Sequence, residues 1–167
     1  MKAATELKPE NMEIEVFDIA QITPFNQDFE SQPPQIVTDF KEKIKNADAL
    51  LIATPEYNYS IPGVLKNAID WASRPYGNKV FDGKPVAIMS ASTGILGGAR
   101  AQYHLRQCFV FLNMFPINRP EVIVVQAAKS IDEKGNVINQ DTRDRIKQLL
   151  EELSAWTMKL SGKIKSS

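Results

Sequence analysis

The fold is decided by residues 48–71, which read DALLIATPEYNYSIPGVLKNAIDW. Residues 48–54 form a short apolar run without polar alternation, which is typical of a parallel strand covered on both faces. After Pro62, apolar residues recur at helical spacing and predict a helix. The loop at 55–58 therefore follows the carboxyl end of a strand. In open parallel sheets small ligands bind at that end, where the strand order reverses.

A second strand and loop repeat this arrangement further along the chain. Residues 85–90 predict another buried strand, and the polar loop 92–94 follows it. Because the carboxyl ends of parallel strands meet at one edge, both loops would face one crevice. Backbone amides, hydroxyls and the ring of Tyr57 would suit a flat, partly polar, partly anionic molecule there. The alternative is an ordinary tight turn before a helix, with Glu56 as a solvated carboxylate.

The remaining segments alternate between strand and helix patterns. Apolar residues alternate with glutamates at Met12, Ile14 and Val16. This alternation predicts a strand at 12–18 with one solvent-exposed face. Helices are predicted at 1–7, 36–47, 99–112 and 141–160, and a further strand is predicted at 121–125. This alternation predicts a single α/β domain over residues 1–167, built as a three-layer sandwich around a parallel sheet.

Composition narrows the class of function. The 167 residues are 43% apolar, and 20 basic residues balance 20 acidic ones, so we expect neither a nucleic-acid nor a membrane partner. The chain has one cysteine, Cys108, and one histidine, His104, which argues against a disulfide or a metal site and fits a cytoplasmic protein. No apolar run has membrane-spanning length, and no signal-peptide pattern is found. Function is therefore expected at a local small-molecule site.

The two loop sequences resemble those of a known family. PEYNYSIPG at 55–63, with LKNAIDW at 65–71, resembles the signature of the NAD(P)H-dependent FMN reductases, which include quinone, azo and chromate reductases. Residues 92–107, with STG, GGAR and QYHLRQ, are similar to the family's second flavin loop and the helix behind it. The resemblance implies a flavodoxin-like fold with FMN as cofactor. The flavin-binding positions that it indicates are Pro55, Glu56, Tyr57, Asn58, Ser92, Thr93 and Gly94.

The resemblance also implies a reaction and an assembly. A nicotinamide from NAD(P)H reduces the flavin, and the reduced flavin then passes electrons to a quinone or another small acceptor. The flavin carries the chemistry, so no catalytic residue is assigned; Tyr57 or Tyr59 either lines its open face or packs against a neighbouring subunit. Family members form dimers and tetramers, which implies a homodimer or homotetramer and agrees with the apolar flank of the helix within 99–115. Residues expected on the surface or in a polar subunit contact are Arg100, Tyr103, His104 and Glu121.

One departure from the family pattern concerns the first strand. The family opens with an apolar strand and a loop that cradles the FMN phosphate, whereas Met1 falls inside the first helix. In the strand order 2-1-3-4-5 the absent central strand would lie between residues 12–18 and 48–54. Either the first of these strands pairs elsewhere, or a partner chain fills the gap, or the sequence is a shortened form of a longer protein, which we favour.

Two rival functions follow from this departure and from the family's chemistry. The first is a remnant that keeps the fold and the oligomer surface but binds FMN weakly or not at all. The second is a free-flavin reductase that uses FMN as a substrate and releases it. The affinity for FMN distinguishes the remnant from a reductase with a bound cofactor. Retention of FMN through gel filtration distinguishes the free-flavin reductase.

Overall fold

A parallel sheet forms the centre of the protein. The computed structural model describes residues 1–162. The strands are β1 (Leu50–Thr54), β2 (Pro85–Ala91), β3 (Phe115–Pro116) and β4 (Val122–Val124). β1 pairs in parallel with β2, from Leu50 opposite Val86 to Thr54 opposite Ser90. On the other side of β2, β3 pairs with its beginning and β4 with its end, both in parallel. Among the strands of residues 1–162, β1 therefore lies at the edge and β2 is central.

Helices cover both faces of this sheet. They are α1 (Lys2–Leu7), α2 (Gln35–Asn46), α3 (Gly63–Ala72), α4 (Ala99–Phe111), α5 (Ala127–Ser130) and α6 (Gln140–Leu160). Alternate residues of β2 point to opposite faces, as expected for a strand. Ala87 packs with Leu150 of α6, whereas Val86 packs with Leu105 of α4. The predicted three-layer α/β architecture with a parallel sheet is confirmed, and residues 163–167 of the predicted domain lie outside the described part of the chain.

The helix boundaries follow from caps and apolar stripes. Asn139 caps α6, since its side-chain oxygen accepts a hydrogen bond from the amide of Thr142 at 2.8 Å. The apolar stripe of α6 includes Ile146, Leu149 and Leu153, all of them buried. Burial of such a stripe supplies most of the stability of a helix in a folded protein. No helix within residues 1–162 is long and apolar enough to cross a membrane.

The strand predicted at 12–18 is wrong. Residues 12–18 run without assigned secondary structure, and within residues 1–162 no backbone hydrogen bond joins 13–17 to another segment. The alternation of apolar and acidic residues indicates which side chains are buried, but a strand also needs a neighbour for its amides. Here a cavity separates the segment from β1. Of the alternatives given from the sequence, the one in which this segment pairs with another strand is therefore not found within the described residues.

Candidate functional site

The two predicted ligand loops leave the same edge of the sheet. The first loop, residues 55–62, follows β1, and the second loop, residues 92–98, follows β2. The register places Thr54 directly opposite Ser90, so the two parallel strands end side by side. Each loop leads into a helix, α3 after the first and α4 after the second. This arrangement places both loops at the carboxyl-terminal edge of adjacent strands, where open α/β sheets bind ligands.

A tight turn shapes the first loop. The amide of Tyr57 donates to the carbonyl oxygen of Ser60 at 3.0 Å, and the amide of Ser60 donates to the carbonyl of Tyr57 at 2.9 Å. The two residues between them, Asn58 and Tyr59, have φ values of +49° and +68°. Two consecutive residues with positive φ are typical of a type I′ turn. Asparagine tolerates this left-handed conformation better than most residues. The two hydrogen bonds that close the turn do not use the amides of its two central residues.

Glu56 holds the first loop against the helix that follows the second. Its carboxylate accepts hydrogen bonds from the amides of Arg100 (3.0 Å) and Ala101 (3.3 Å) at the start of α4. It also accepts a bond from Nε of Arg100 at 2.6 Å. A carboxylate at a helix amino terminus is favoured by the free amides and by the helix dipole. The Glu56 side chain is only 6% exposed. The alternative that Glu56 is a solvated carboxylate is therefore wrong.

The pKa of Glu56 reflects these contacts. Burial raises the pKa of the carboxyl group, but the side-chain hydrogen bond from Arg100, the amide of Ala101 and the guanidinium charge together outweigh burial. The pKa of Glu56 therefore lies below its ordinary value. Arg100 also stacks on the ring of Tyr59, with its guanidinium carbon 3.5 Å from the ring centroid. Glu56 and Arg100 thus connect the turn of the first loop to α4.

The second loop is fixed by close backbone approaches. Gly98 has φ +91°, and a Cβ there would lie 2.7 Å from the Cβ of Ser90. Gly97, at φ +58°, would place a Cβ 2.6 Å from a methyl carbon of Ile123. The Ser90 hydroxyl donates to the carbonyl oxygen of Gly97 at 2.7 Å and accepts from Nε2 of the buried Gln102 at 2.8 Å. These contacts hold the end of the second loop tightly against β2 and β4.

The donor groups left over at this edge suit a planar polar ligand. Within residues 1–162 the amides of Glu56, Asn58, Tyr59 and Thr93 donate to no protein group. By contrast, the amide of Ser92 donates to the carbonyl oxygen of Val124 at 3.1 Å. Free backbone amides beside the ends of two strands fit the carbonyl and nitrogen edge of an isoalloxazine ring. The residues present therefore fit the ring of FMN.

Not every predicted site residue offers its side chain to this edge. Tyr57 is 61% exposed and free to contact a ligand. The Ser92 hydroxyl accepts from the amide of Gly94 at 3.2 Å, so its own proton remains available. The Glu56 carboxylate is bonded to α4, so within residues 1–162 its backbone amide is the polar donor of this residue that has no protein partner. Pro55 has no amide hydrogen and can contribute only its ring and its carbonyl oxygen, which accepts from Thr54 at 2.8 Å.

The polar residues of α4 make contacts within this chain. The hydroxyl of Tyr103 contacts a carboxylate oxygen of Glu121 at 3.3 Å, and Nδ1 of His104 lies 3.0 Å from the hydroxyl of Ser60. The same helix exposes two large apolar side chains, Val110 at 84% and Phe111 at 78%. The sequence identified the polar and apolar residues of α4 as surface or contact residues. It did not identify the Glu56–Arg100 pair, because spacing along the chain does not show that residue 56 contacts residue 100.

The fold and the loops together define an α/β protein with a ligand edge of the flavodoxin type. A family model described as NADPH-dependent FMN reductase matches residues 1–129. An NAD(P)H-dependent FMN reductase of Pseudomonas aeruginosa is 49% identical over 163 residues, which span 97% of this chain and 88% of that protein. The chain belongs to the NADPH-dependent FMN reductase family. It is an oxidoreductase of the class that works with FMN and an NAD(P)H electron donor.

Two further relatives support this assignment. A 2-hydroxy-1,4-benzoquinone reductase of Burkholderia sp is 42% identical over 92% of this chain and 84% of that protein. The solved structure of FerB, a flavoenzyme NAD(P)H:(acceptor) oxidoreductase from Paracoccus denitrificans, matches with a TM-score of 0.86 and 32% identity. The match covers 95% of this chain and 87% of that chain. The resemblance stated from the loop sequences is therefore confirmed at the level of the family.

Proposed function

We propose that this protein reduces quinones or other small acceptors in two half-reactions at the edge formed by the first and second loops. The observation that carries the proposal is the set of free amides at the ends of two adjacent parallel strands. Membership of the FMN reductase family supports the cofactor, and quinone reductases among the relatives support the class of acceptor. FMN, when bound, supplies the two-electron chemistry.

The protein contributes orientation and charge stabilisation. The first loop would offer the amides of Glu56, Asn58 and Tyr59 to a bound ring, and the second loop would offer the amide of Thr93. Fixed amide dipoles would stabilise negative charge on the ring, because they are already oriented before the charge appears. The hydroxyl of Ser92 adds a further donor. Arg100 holds Glu56 and hence the loop, so we assign it a positioning role.

We propose that the nicotinamide and the acceptor bind in turn at the same site. Tyr57, which is 61% exposed, would be available to contact either of them. Neither substrate needs a proton-transfer side chain, so the site requires shape and access rather than an acid or a base.

We further propose that the protein acts as a cytoplasmic homodimer or homotetramer. Val110 and Phe111, next to each other near the end of α4, are 84% and 78% exposed. Large apolar side chains grouped on one side of a helix favour association.

The proposal is tested by FMN titration of matched variants at position 58. Asn58→Gly keeps the backbone amide and tolerates the φ of +49°, whereas Asn58→Leu strains the turn. We expect the glycine variant to bind FMN within about threefold of the parent protein and the leucine variant to bind at least about tenfold more weakly, a loss of about 1.4 kcal/mol. Parent-like affinity in the leucine variant would refute the role of this turn.

A second candidate is a chain that keeps the fold and binds FMN too weakly to act. The edge of β1 that faces residues 11–17 favours this candidate, because within residues 1–162 no strand pairs with β1 on that side. Visible flavin absorbance after purification and a micromolar or tighter Kd in titration would exclude it. Release of the flavin during gel filtration, combined with NAD(P)H-dependent reduction of added FMN, would instead identify a free-flavin reductase.

A further inference from the structure

The beginning of α4 contacts the first loop at two successive levels. Arg100, in the first turn of the helix, donates to the Glu56 carboxylate and stacks on the ring of Tyr59. One turn further along, Nδ1 of His104 lies 3.0 Å from the hydroxyl oxygen of Ser60, which is a hydrogen-bond distance. Residues four apart lie on the same side of a helix, so Arg100 and His104 approach the loop together. The contact between His104 and Ser60 is therefore a second attachment of the loop to α4.

Ser60 closes the turn that carries two of the unpaired amides. Its amide donates to the carbonyl oxygen of Tyr57 at 2.9 Å, and its carbonyl oxygen accepts from the amide of Tyr57 at 3.0 Å. Both backbone groups of Ser60 are thus used inside the turn. Its hydroxyl group connects the turn to another element, and in the described part of the chain that element is α4. The orientation of the Asn58 and Tyr59 amides therefore depends on a residue whose side chain contacts His104.

The turn needs contacts of this kind because its backbone is strained. Tyr59 has φ +68°, a conformation that bulky L-residues rarely adopt. A strained backbone persists where the surrounding structure holds it. Asn58 and Tyr59 are both exposed, so burial of their side chains does not hold the turn. The contacts with α4 remain, and they are the stacking of Arg100 on Tyr59 and the bond between His104 and Ser60.

The bond between His104 and Ser60 forms with either tautomer of the imidazole ring. A hydroxyl group both donates and accepts, so it pairs with Nδ1 whether or not that nitrogen carries a proton. His104 is exposed, whereas the packing of α4 on the sheet involves the buried Leu105 and Phe109. Replacement of His104 should therefore release the turn without disturbing the core.

We infer that His104 is a positioning residue for the proposed flavin edge and acts through Ser60. The bond orders the turn before a ligand arrives, so binding does not have to supply that order. A single exposed hydrogen bond makes a modest net contribution, which corresponds to an effect of about two- to tenfold. The inference rests on the proposed function, because it assigns His104 to the same edge.

The first measurement is hydrogen exchange of the FMN-free protein. The amide of Ser60 is protected while the turn is closed, so its protection factor reports on the turn. We expect His104→Ala to lower this protection about two- to tenfold. His104→Asn should restore it, because the asparagine amide nitrogen is as many bonds from Cα as Nδ1. Gln107→Ala, at an exposed position of the same helix, is the matched control and should leave the protection unchanged.

An FMN titration connects the turn to the ligand. His104→Ala and Ser60→Ala should each raise the Kd for FMN about two- to tenfold. The double variant should bind no more weakly than the weaker single variant, because both replacements remove the same bond. His104→Asn should bind FMN as the parent protein does, and the midpoint of urea unfolding should be the same in all these variants. Rescue by asparagine and an unchanged midpoint separate a positioning role from a general loss of stability.

Parent-like protection of the Ser60 amide in His104→Ala would overturn the inference. Additive losses of FMN affinity in the double variant would overturn it as well, since the two side chains would then act independently. Lowered protection with unchanged FMN affinity would show that the turn does not position the ligand. Failure of the parent protein to bind FMN would instead count against the proposed function, while the exchange measurement would still decide whether His104 holds the turn.

Discussion

Replacement of Gly98 by alanine tests how the second loop is fixed. Gly98 has φ +91°, a conformation that costs an L-residue about 1–2 kcal/mol. The added Cβ would also lie 2.7 Å from the Cβ and 2.9 Å from the hydroxyl oxygen of Ser90. Because Ser90 is held by hydrogen bonds to Gly97 and Gln102, it cannot turn away, and overpacking of this kind costs about 1–3 kcal/mol. We therefore expect Gly98→Ala to lower the free energy of unfolding by about 2–5 kcal/mol.

Gly94 provides a matched control in the same loop. Its φ is outside the left-handed region, and a Cβ there would meet the Ser92 hydroxyl oxygen at 3.6 Å, an ordinary contact. Gly94→Ala should change the free energy of unfolding by less than about 1 kcal/mol, and it should stabilise if the lower entropy of the unfolded chain dominates. The comparison separates a crowded left-handed glycine from one whose added Cβ would make only an ordinary contact.

The assay is urea unfolding followed by circular dichroism, without added FMN, with thermal unfolding as a second measure. A loss of 2–5 kcal/mol corresponds to a drop in Tm of about 5–15 °C for a domain of this size. Ordinary surface substitutions change the free energy of unfolding by about 0.5 kcal/mol. If the Gly98→Ala and Gly94→Ala variants differ in their free energy of unfolding by no more than that, the reasoning is refuted. Such a result would show that the loop moves away from β2 at little cost.

Two further predictions concern titratable groups. Because the folded-state pKa of Glu56 lies below its unfolded value, its ionised form stabilises the fold above about pH 5, and this contribution is lost as the pH falls through the lowered pKa. Glu56→Gln should therefore lower stability at pH 7 and flatten its decline in acid; a parent-like pH profile in urea unfolding would contradict this. Burial raises the pKa of the Cys108 thiol, with Asp70 adding to the shift and Lys66 opposing it. Iodoacetamide should alkylate Cys108 more slowly at pH 8 than it alkylates free cysteine, and an equal rate would show that the thiol is not shielded.

The sequence was most informative where a local pattern and burial coincide. The apolar runs before Pro55 and before Ser92 correctly predicted β1 and β2, because strands buried on both faces need continuous apolar side chains. The stripe of α6 predicted a helix that begins within one residue of the observed start at Gln140. The two-residue strand β3 and the single-turn helix α5 were missed, since elements this short carry no detectable period.

What the sequence could not predict depends on contacts between distant residues. Asn67, on α3, accepts a hydrogen bond from the amide of Phe25 at 2.7 Å and donates to the carbonyl oxygens of Ile22 and Thr23. Nothing near residue 67 in the sequence indicates this role in fixing residues 22–25. The prediction of a strand at 12–18 was wrong for a related reason. A strand needs a neighbouring strand to pair with its backbone, and the sequence of the segment alone does not show whether that neighbour is present.

The central claim is that the free amides of the first and second loops bind the ring of FMN. The most direct test is a titration of ¹⁵N-labelled protein with FMN, followed by amide chemical shifts. We predict that the amides of Glu56, Asn58, Tyr59 and Thr93 shift most, with a common Kd that matches the change in flavin fluorescence. Saturable FMN binding that leaves these four amides unchanged, or that shifts the amides of β4 and α6 instead, would contradict the account.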